Sequence, residues 1–274
     1  MPSDLRLLQQ KETEILFDFV KVCEENSLRY YLAYGTLLGA IRHDGFIPWD
    51  DDIDVEMPRE DFDLFCREYY KKLPERLIFK SFENDEDYSL YAPKIEDSSV
   101  KVKDSFGNEC NVWIDIFPVD GFPSKEDLRT KIFKLSLRMQ RTLLHVSKMR
   151  KGSNMQSPLN SKFHNFLVGI IETINPGRFM DCRKRLFKLD KLMRRYDISE
   201  DGMSMVFMGE KFKDVFPFSY YGNERKLPFE GKMLSVPEKT EEVLTAIYGD
   251  YMQLPPEEQR NLHNVISIRV CNND

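Results

Sequence analysis

The chain has 274 residues, enough for one large domain or two smaller ones, and its 41% hydrophobic and 31% charged residues are typical of a globular protein. The sequence contains neither a run of about 18 apolar residues nor a basic-then-apolar leader, so we predict a cytoplasmic protein. Five scattered cysteines without a CxxC pair predict reduced thiols and exclude a disulfide framework. The net charge of -6 is uneven, because residues 129–195 hold 17 Lys and Arg against three acids, which leaves -20 for the remainder.

The N-terminal third alternates helical and strand patterns. Apolar residues recur every three or four positions over residues 5–25, which predicts an amphipathic helix. A short strand at residues 30–34 leads into the turn Gly35-Thr36, and residues 37–42 are typical of a helix. A loop follows, and an acidic strand comes after it.

That acidic strand is the most informative segment of the chain. Strict alternation over residues 52–57 predicts that Ile53, Val55 and Met57 face a core, whereas Asp52, Asp54 and Glu56 line the other face. Pro58 is expected to end the strand. Aspartates two positions apart on a strand have Cα atoms about 6–7 Å apart, close enough for both to bind one hard cation.

Two other interpretations compete with a metal site. A bare run of acids such as residues 50–54 is often a solvated turn, but the interleaved apolar residues and the isolated Asp115 within the apolar strand 112–117 weaken that interpretation. An EF-hand also places acids at loop positions one, three and five. It fails here because Val55 replaces the required glycine and Asp61 replaces the terminal glutamate.

The rest of the chain follows in order. Residues 59–72 are predicted to form a helix, residues 88–95 a strand that carries Lys94, and residues 112–117 a strand that ends at Pro118 and an Asp120-Gly121 turn. Basic helical patterns cover residues 125–150 and 178–196, and a glycine-containing break at 152–154 and a helix-like run at 164–173 lie between them. Strands are predicted near residues 226–236, and a helix at residues 239–248.

Several residues near the acidic strand are suited to phosphate. Gly35-Thr36 before a helix can present backbone N–H groups, although glycines at strand ends are commonly plain turns. The guanidinium of Arg42 can bind two phosphate oxygens, and Lys94 can neutralise phosphate, but a surface arginine and a structural salt bridge are equal alternatives. His43 can transfer a proton or be polar surface.

The segment from Gly35 to Asp54 closely resembles the signature of the LicD family of phosphocholine transferases. Its sequence is GTLLGAIRHDGFIPWDDDID. The resemblance continues through residues 113–118 and through a C-terminal stretch from Phe229 to Pro256, so it covers most of the chain except the basic middle.

The resemblance implies a fold and a chemistry. The fold would be α+β, a nucleotidyltransferase-like mixed sheet flanked by helices, with a mainly helical basic section. Metal, Mg²⁺ or Mn²⁺, would be bound by Asp52, Asp54 and Asp115. Phosphocholine would pass from CDP-choline to a sugar hydroxyl of a teichoic acid or lipopolysaccharide precursor, with release of CMP. Because the related fukutin-related protein uses CDP-ribitol, another CDP-alcohol stays open.

On this basis, we assign candidate roles. The catalytic set is Asp52, Asp54, Asp115, Arg42 and His43, and the substrate-binding set is Gly35, Thr36, Arg42, Lys94 and Trp49. A choline headgroup would need aromatic faces, for which the candidates are Tyr34, Tyr88, Trp49 and Trp113, although aromatic residues beside strands are more often core.

The charge pattern predicts three segments: a catalytic core at 1–124, a basic helical section at 125–200 and a C-terminal part at 201–274 that completes the catalytic domain. The basic section either rests on an anionic membrane near a lipid-linked glycan acceptor or is a solvated face. Nucleic acid is excluded as a partner because no recognition motif accompanies the basic residues. A nucleotidyltransferase or a metal- and nucleotide-binding scaffold are the alternative functions.

Overall fold

The structure is a computed structural model, and it describes residues 2–104, 109–148, 179–199, 202–206, 212–260 and 265–270. The chain divides into two compact units. The first contains residues 1–80, 92–122 and 197–274, and the second contains residues 81–91 and 123–196. The functional roles that we assigned to residues 1–124, 125–200 and 201–274 stay predictions.

The first unit is built on a mixed sheet. Its strands within the described residues are β1 (Tyr31–Leu32), β2 (Asp54–Pro58), β3 (Leu77–Lys80), β4 (Lys94–Asp104), β5 (Glu109–Phe122), β6 (Met203–Val206), β7 (Val215–Pro217), β8 (Arg225–Phe229), β9 (Lys232–Val236) and β10 (Val265–Val270). The main sheet has the order β1-β2-β5-β4-β10, with β3 on β4, β6 on β5 and β7 on β6, while β8 and β9 pair separately. Only β2 and β5 run parallel among these described pairs.

Helices complete the fold, and the predicted α+β class is confirmed. The α-helices of the described residues are α1 (Pro2–Glu25), α2 (Tyr34–His43), α3 (Arg59–Arg67), α4 (Leu128–Lys148), α5 (Cys182–Met193) and α6 (Thr240–Tyr248). Helix α1 begins earlier than predicted, and its apolar stripe is fully buried at Ile15, Leu16 and Phe19. Short 3-10 helices occupy Tyr69–Lys72, Phe218–Tyr220 and Glu257–Gln259.

The acidic strand is shorter and more deeply buried than the alternation predicts. Strand β2 begins at Asp54, so Asp52 lies in the segment before it. Ile53, Val55 and Met57 are fully buried, as expected for the core face. The other face is buried too, with Asp54 only 7% exposed and Glu56 only 4%. The alternative interpretation of residues 50–54 as a solvated acidic turn does not hold for Asp54, because β2 is an interior strand between β1 and β5.

Two other predicted strands have different bounds. Residues 88–93 are not a strand, and β4 starts at Lys94. Strand β5 does not end at Pro118, because it passes there from its antiparallel neighbour β4 to its neighbour β6, which pairs from Val119 onward. A proline at this change of partner removes no antiparallel ladder bond. Asp120 and Gly121 consequently pair with β6 and do not form a turn.

The predicted glycine turn also differs. Gly35 and Thr36 belong to the first turn of α2, since the helix starts at Tyr34. Tyr34 has a left-handed φ of 44°, which makes the sharp bend from β1 into the helix. The strand predicted at residues 30–34 is reduced to Tyr31–Leu32. The helix predicted at 59–72 ends as α3 at Arg67, because Glu68 leaves helical geometry (φ -124°), and a 3-10 turn follows.

The second unit contains the basic helices α4 and α5. Their buried residues include Phe133, Leu137, Leu186 and Leu189. Asp181 caps α5, its side chain accepting a hydrogen bond from the Lys184 N–H at 3.0 Å. Helix α4 begins three residues later than predicted, and α5 begins four residues later and ends three residues earlier. The predicted features at 152–154 and 164–173 lie outside the described residues.

The C-terminal part of the first unit agrees with its predicted elements. Strands β8 and β9 form the expected hairpin, and α6 starts one residue later than predicted. Cys23, Cys66, Cys110 and Cys182 are free thiols, as predicted for these four. Within the described ranges, no helix combines the length and the apolar character that crossing a bilayer requires.

Candidate active site

Two aspartates meet where the parallel strands β2 and β5 pair. Asp54 and Asp115 are Cα partners in this register, and the Asp115 N–H donates to the Ile53 carbonyl at 2.9 Å. Side chains of paired residues point to the same face of a sheet. The predicted proximity of Asp54 and Asp115 is therefore present in the fold.

The first turn of α2 fixes the acidic segment. The Thr36 hydroxyl accepts a hydrogen bond from the Asp54 N–H at 2.9 Å, and Thr36 is only 2% exposed. A Cβ atom at Gly35 would lie 2.6 Å from an Asp50 carboxylate oxygen, so only glycine permits this approach. Gly35 and Thr36 thus position the aspartates, while their contact with phosphate stays a prediction.

Lys94 is the cation that lies against this cluster. It is the cross-strand partner of Asp115, with 3.7 Å between the Lys94 Nζ and an Asp115 oxygen. The same Nζ lies 3.8 Å from the centroid of the Trp113 ring, whose indole N–H donates to the other Asp115 oxygen at 2.9 Å. Lys94 and Trp113 together orient the Asp115 carboxylate.

Negative charge exceeds positive charge at this site. Burial, and then the charges of Asp52 and Asp51, raise the pKa of Asp50 from 3.8 to about 7. Burial, followed by Asp51 and Asp115, raises the pKa of Asp52 to about 6. The pKa of Asp54 is raised well above its ordinary value, first by burial and then by Asp52. Protons or a cation must neutralise these carboxylates at neutral pH.

Helix α1 adds a carboxyl that the sequence reasoning did not assign to the site. Glu12 is 2% exposed, and its pKa is raised well above the ordinary value by burial and then by the charge of Asp52. Gln9, one turn earlier, donates from its side-chain amide to the Asp50 carbonyl at 2.9 Å. The available signal was an acid on the apolar stripe of α1, between Leu8 and Ile15.

The donor set suits a hard divalent cation. All candidate ligands are carboxylate oxygens, which Mg²⁺ and Mn²⁺ prefer. No group of three or more His, Cys, Asp or Glu side chains forms a ready metal cage within the described residues. This is compatible with Mg²⁺, which is usually held by one or two carboxylates together with substrate phosphates and water. The predicted set of Asp52, Asp54 and Asp115 therefore does not form such a cage in the described structure, and the pair Asp54 and Asp115, with Asp52 beside it, would bind the ion together with substrate phosphates.

A cavity of about 430 Å³ adjoins the acidic segment through Trp49. Its lining comes from α2, from the loop before Asp50 and from the segment that follows α6, and includes Arg42, Trp49, Tyr248, Tyr251 and Gln253. The pKa of Tyr248 is raised by burial and then by the charges of Asp54, Asp50 and Asp52. Tyr248, which is 43% exposed, thus lines the cavity within the electrostatic reach of these carboxylates.

The charged residues that line this cavity are Arg42 and Asp250, and Arg260 contacts Trp49 beside it. The Arg42 Nη2 atom is buried and has no hydrogen-bond partner among the described residues. Burial, and then the neighbouring charge of Arg260, lower the pKa of Arg42. The Arg260 guanidinium lies 5.2 Å from the centroid of the Trp49 ring. Buried guanidinium nitrogens without a partner are suited to an anion.

His43 occupies a different position. It is the exposed last residue of α2, and its pKa is lowered by partial burial and by Arg42. No described hydrogen bond or ion pair joins it to the aspartates. Of the choline candidates, Tyr34 is buried against Phe117, Trp113 contacts Lys94 and Trp49 lines the cavity. Tyr88 lies in the second unit.

An α+β unit that gathers carboxylates beside a cavity lined by an arginine and aromatic residues has the parts that a phosphotransferase needs. The family model described as "LicD/FKTN/FKRP, nucleotidyltransferase domain" matches residues 27–159. The lipopolysaccharide cholinephosphotransferase LicD of Haemophilus influenzae is 32% identical over 254 residues, which is 92% of each chain. The human ribitol 5-phosphate transferase FKRP is 42% identical over 60 residues, 22% of this chain and 11% of FKRP.

The chain belongs to the LicD family, as its motifs predicted, and it is a phosphotransferase.

Proposed function

We propose that this enzyme transfers phosphocholine from CDP-choline to a sugar hydroxyl of a cell-surface glycan precursor and releases CMP. The observation that carries the proposal is the surplus of carboxylates around the buried Asp54 and its strand partner Asp115. The alcohol is chosen because the relative that matches over most of the chain is a cholinephosphotransferase of lipopolysaccharide. Lipopolysaccharide is accordingly the first acceptor to test, and teichoic acid the second.

The carboxylates explain how a pyrophosphate donor would be bound. Asp52, Asp54 and Asp115 would hold Mg²⁺ or Mn²⁺, and the ion would supply charge neutralisation for the pyrophosphate and the CMP leaving group. Lys94 holds Asp115 in place through their ion pair. Gly35 and Thr36 keep the acidic segment against the start of α2.

The transfer itself exchanges one P–O bond for another. The acceptor oxygen attacks the phosphorus of the phosphocholine group, the bond from that phosphorus to CMP breaks, and the hydroxyl proton passes to a carboxylate of the cluster. Asp50 is suited to accept it, because its carboxylate lies against the start of α2 beside the proposed metal ligands and is not itself one of them. Catalysis then rests mainly on positioning and charge.

The cavity next to the cluster is the proposed site of the nucleotide. Arg42 binds a phosphate oxygen of CMP through its unpartnered Nη2, and Trp49 and Tyr251 provide aromatic walls for the base. We expect Arg42→Gln to weaken CMP binding by about tenfold, the value of one charge-assisted hydrogen bond. Arg67→Gln, at a 66% exposed side chain on α3, is the matched control and should leave CMP binding unchanged.

Ribitol is the second candidate alcohol, because the segment shared with FKRP belongs to a ribitol 5-phosphate transferase. The deciding experiment incubates the protein with Mg²⁺ and CDP-choline, CDP-ribitol or CDP-glycerol, with and without lipopolysaccharide or teichoic acid. The proposal expects CMP from CDP-choline in the presence of acceptor. Release of CMP from CDP-ribitol but not from CDP-choline would mean that the enzyme transfers ribitol phosphate and not phosphocholine. A parallel reaction with CTP and phosphocholine that yields CDP-choline would instead indicate a nucleotidyltransferase.

A further inference from the structure

Helix α4 has a second apolar face that does not point to the core. Phe133, Leu137 and Leu144 are buried on its inner face. On another side, four large apolar residues are exposed by half or more: Leu128 (71%), Ile132 (51%), Leu135 (66%) and Met139 (52%). Steps of four, three and four residues bring these four side chains into one stripe along the helix.

The charge of α4 has a single sign. Its 21 residues include no Asp or Glu, and its cations are Arg129, Lys131, Lys134, Arg138 and Arg141, followed by Lys148 in the last turn. Lys131 and Arg138 are exposed and lie two turns apart, beside the apolar stripe. The outer surface of α4 therefore combines a continuous apolar stripe with a basic flank.

This combination favours a lipid surface over a protein partner. An apolar stripe alone suits either kind of partner, because contiguous exposed apolar surface commonly marks an interaction site. The excess of cations on α4, of which Lys134 is paired with Glu126, favours an anionic occupant. Helices that lie in the plane of a membrane have this composition, with apolar side chains entering the headgroup region and Lys and Arg contacting anionic lipids.

We propose that the outer face of α4 docks on an anionic lipid surface. Leu128, Ile132, Leu135 and Met139 enter the headgroup region, and Lys131 and Arg138 contact lipid phosphates. The proposal thereby restricts the basic membrane-facing section predicted from the sequence to helix α4, and it adds the apolar stripe that lies beside the cations. This binding does not depend on the transfer reaction, although it would hold the enzyme where a lipid-linked glycan is found.

The test measures co-sedimentation of the whole chain with phosphatidylcholine vesicles that do or do not contain phosphatidylglycerol. We expect binding only when phosphatidylglycerol is present, and weaker binding as salt is added. Two variants should each bind at least about tenfold more weakly: a triple serine variant (Ile132→Ser, Leu135→Ser, Met139→Ser) and a charge-reversal variant (Lys131→Glu, Arg138→Glu). For the second variant the reason is that one cation at an anionic surface contributes roughly fivefold to the affinity. For both variants, the far-ultraviolet circular dichroism spectrum and the rate of CMP release with a water-soluble acceptor should match those of the unaltered chain.

Matched controls lie in the first unit. Ile78→Ser with Met233→Ser removes exposed apolar side chains, and Lys21→Glu with Lys71→Glu reverses exposed charges; both should bind vesicles like the unaltered chain. The proposal is overturned if the unaltered chain ignores phosphatidylglycerol, or if control and α4 variants lose equal affinity. It is also overturned if sedimentation velocity shows a dimer that the triple serine variant converts to a monomer, because a second copy would then cover the stripe.

Discussion

Strand β5 carries a buried aspartate, Asp120, and a half-buried one, Asp115, whose charges are neutralised to different extents. Asp120 is 1% exposed, and the Arg59 side chain donates to both of its oxygens, at 2.7 and 2.5 Å. Asp115 lies five residues earlier, where Lys94 approaches only to 3.7 Å and where Asp54 is its neighbour on β2. Asp120 therefore forms a close ion pair with Arg59, whereas Asp115 belongs to a group of acids that carries more negative than positive charge.

The difference separates structural from functional charge. A buried carboxylate that serves only the fold is stable when a partner neutralises it with good geometry, as Arg59 does for Asp120. The cluster around Asp115 lacks enough positive charge, so burial and mutual repulsion raise the pKa values of Asp50, Asp52 and Asp54. A group of acids held in that state is suited to a cation from solution.

The largest effect should come from removing a carboxylate on the surplus side. We expect Asp54→Asn to lower the rate of CMP release at least about 100-fold. Without the Asp54 carboxylate the cation at the reacting phosphate would be misplaced, which should cost as much as the loss of one hydrogen-bond donor to the transition state. The free energy of unfolding at pH 7 should not decrease, because a repelled buried charge has been removed. Initial rates and urea denaturation give the two values.

Asp44→Asn is the matched control for that substitution. Asp44 is exposed, and its left-handed φ of 53° suits asparagine, so its rate and stability should match those of the unaltered chain. A normal rate for Asp54→Asn, or a large loss of stability, would show that Asp54 serves the fold alone.

The opposite pattern is expected where the charge is paired. Asp120→Asn leaves the Arg59 guanidinium, whose side chain is only 11% exposed, without its main counter-charge. The free energy of unfolding should fall by about 3 kcal/mol, as when one partner of a buried pair is removed. Urea denaturation of Asp120→Asn and Asp115→Asn side by side gives the contrast. Equal losses in both variants would contradict the proposed difference between the two positions.

The surplus side should also make stability depend on pH. Between pH 4 and 7 the folded chain binds more protons than the unfolded chain at Asp50 (pKa about 7) and Asp52 (pKa about 6), because both values are raised from 3.8. The contribution of these two groups to the free energy of unfolding is therefore fully present below their pKa in the unfolded chain. It is lost as the pH rises through their pKa values in the folded chain. Melting temperatures in chelator, measured from acidic to neutral pH, should fall more steeply for the unaltered chain than for Asp50→Asn. Parallel curves would disprove this coupling.

The smallest predicted effect concerns orientation. Trp113→Phe removes the hydrogen bond to Asp115 but keeps an aromatic ring beside Lys94. We expect the rate to fall about tenfold, the value of one hydrogen bond to a charged group, with little change in stability. Steady-state rates and thermal melts measure both, and an unaltered rate would mean that Lys94 alone positions Asp115.

The sequence predicted those parts of the site that depend on short-range pattern. Residues 53, 55 and 57 anchor an interior strand, as their spacing indicated, and Asp54 and Asp115 lie on paired strands. Tertiary contacts decided the rest. Glu12 and Arg260 come from distant parts of the chain, and no local pattern links them to the aspartates.

The errors in element bounds have the same origin. Pro118 usually ends a strand, but β5 continues because β6 replaces β4 as its neighbour at that point. Residues 88–93 had strand-like composition, yet the preceding segment forms local turns, with the Asn84 and Asp85 N–H groups donating to the Ser81 carbonyl. Strand propensity is weaker than such contacts.

The central claim is that the uncompensated carboxylates around Asp54 and Asp115 bind a divalent cation. Calorimetric titration of Mn²⁺ into the unaltered chain and into the Asp54→Asn, Asp115→Asn double variant tests it directly, with and without CMP. We predict saturable binding that releases protons from the raised carboxyls, and at least about tenfold weaker binding in the double variant. No binding to the unaltered chain under either condition, or equal affinity in the double variant, would contradict the claim.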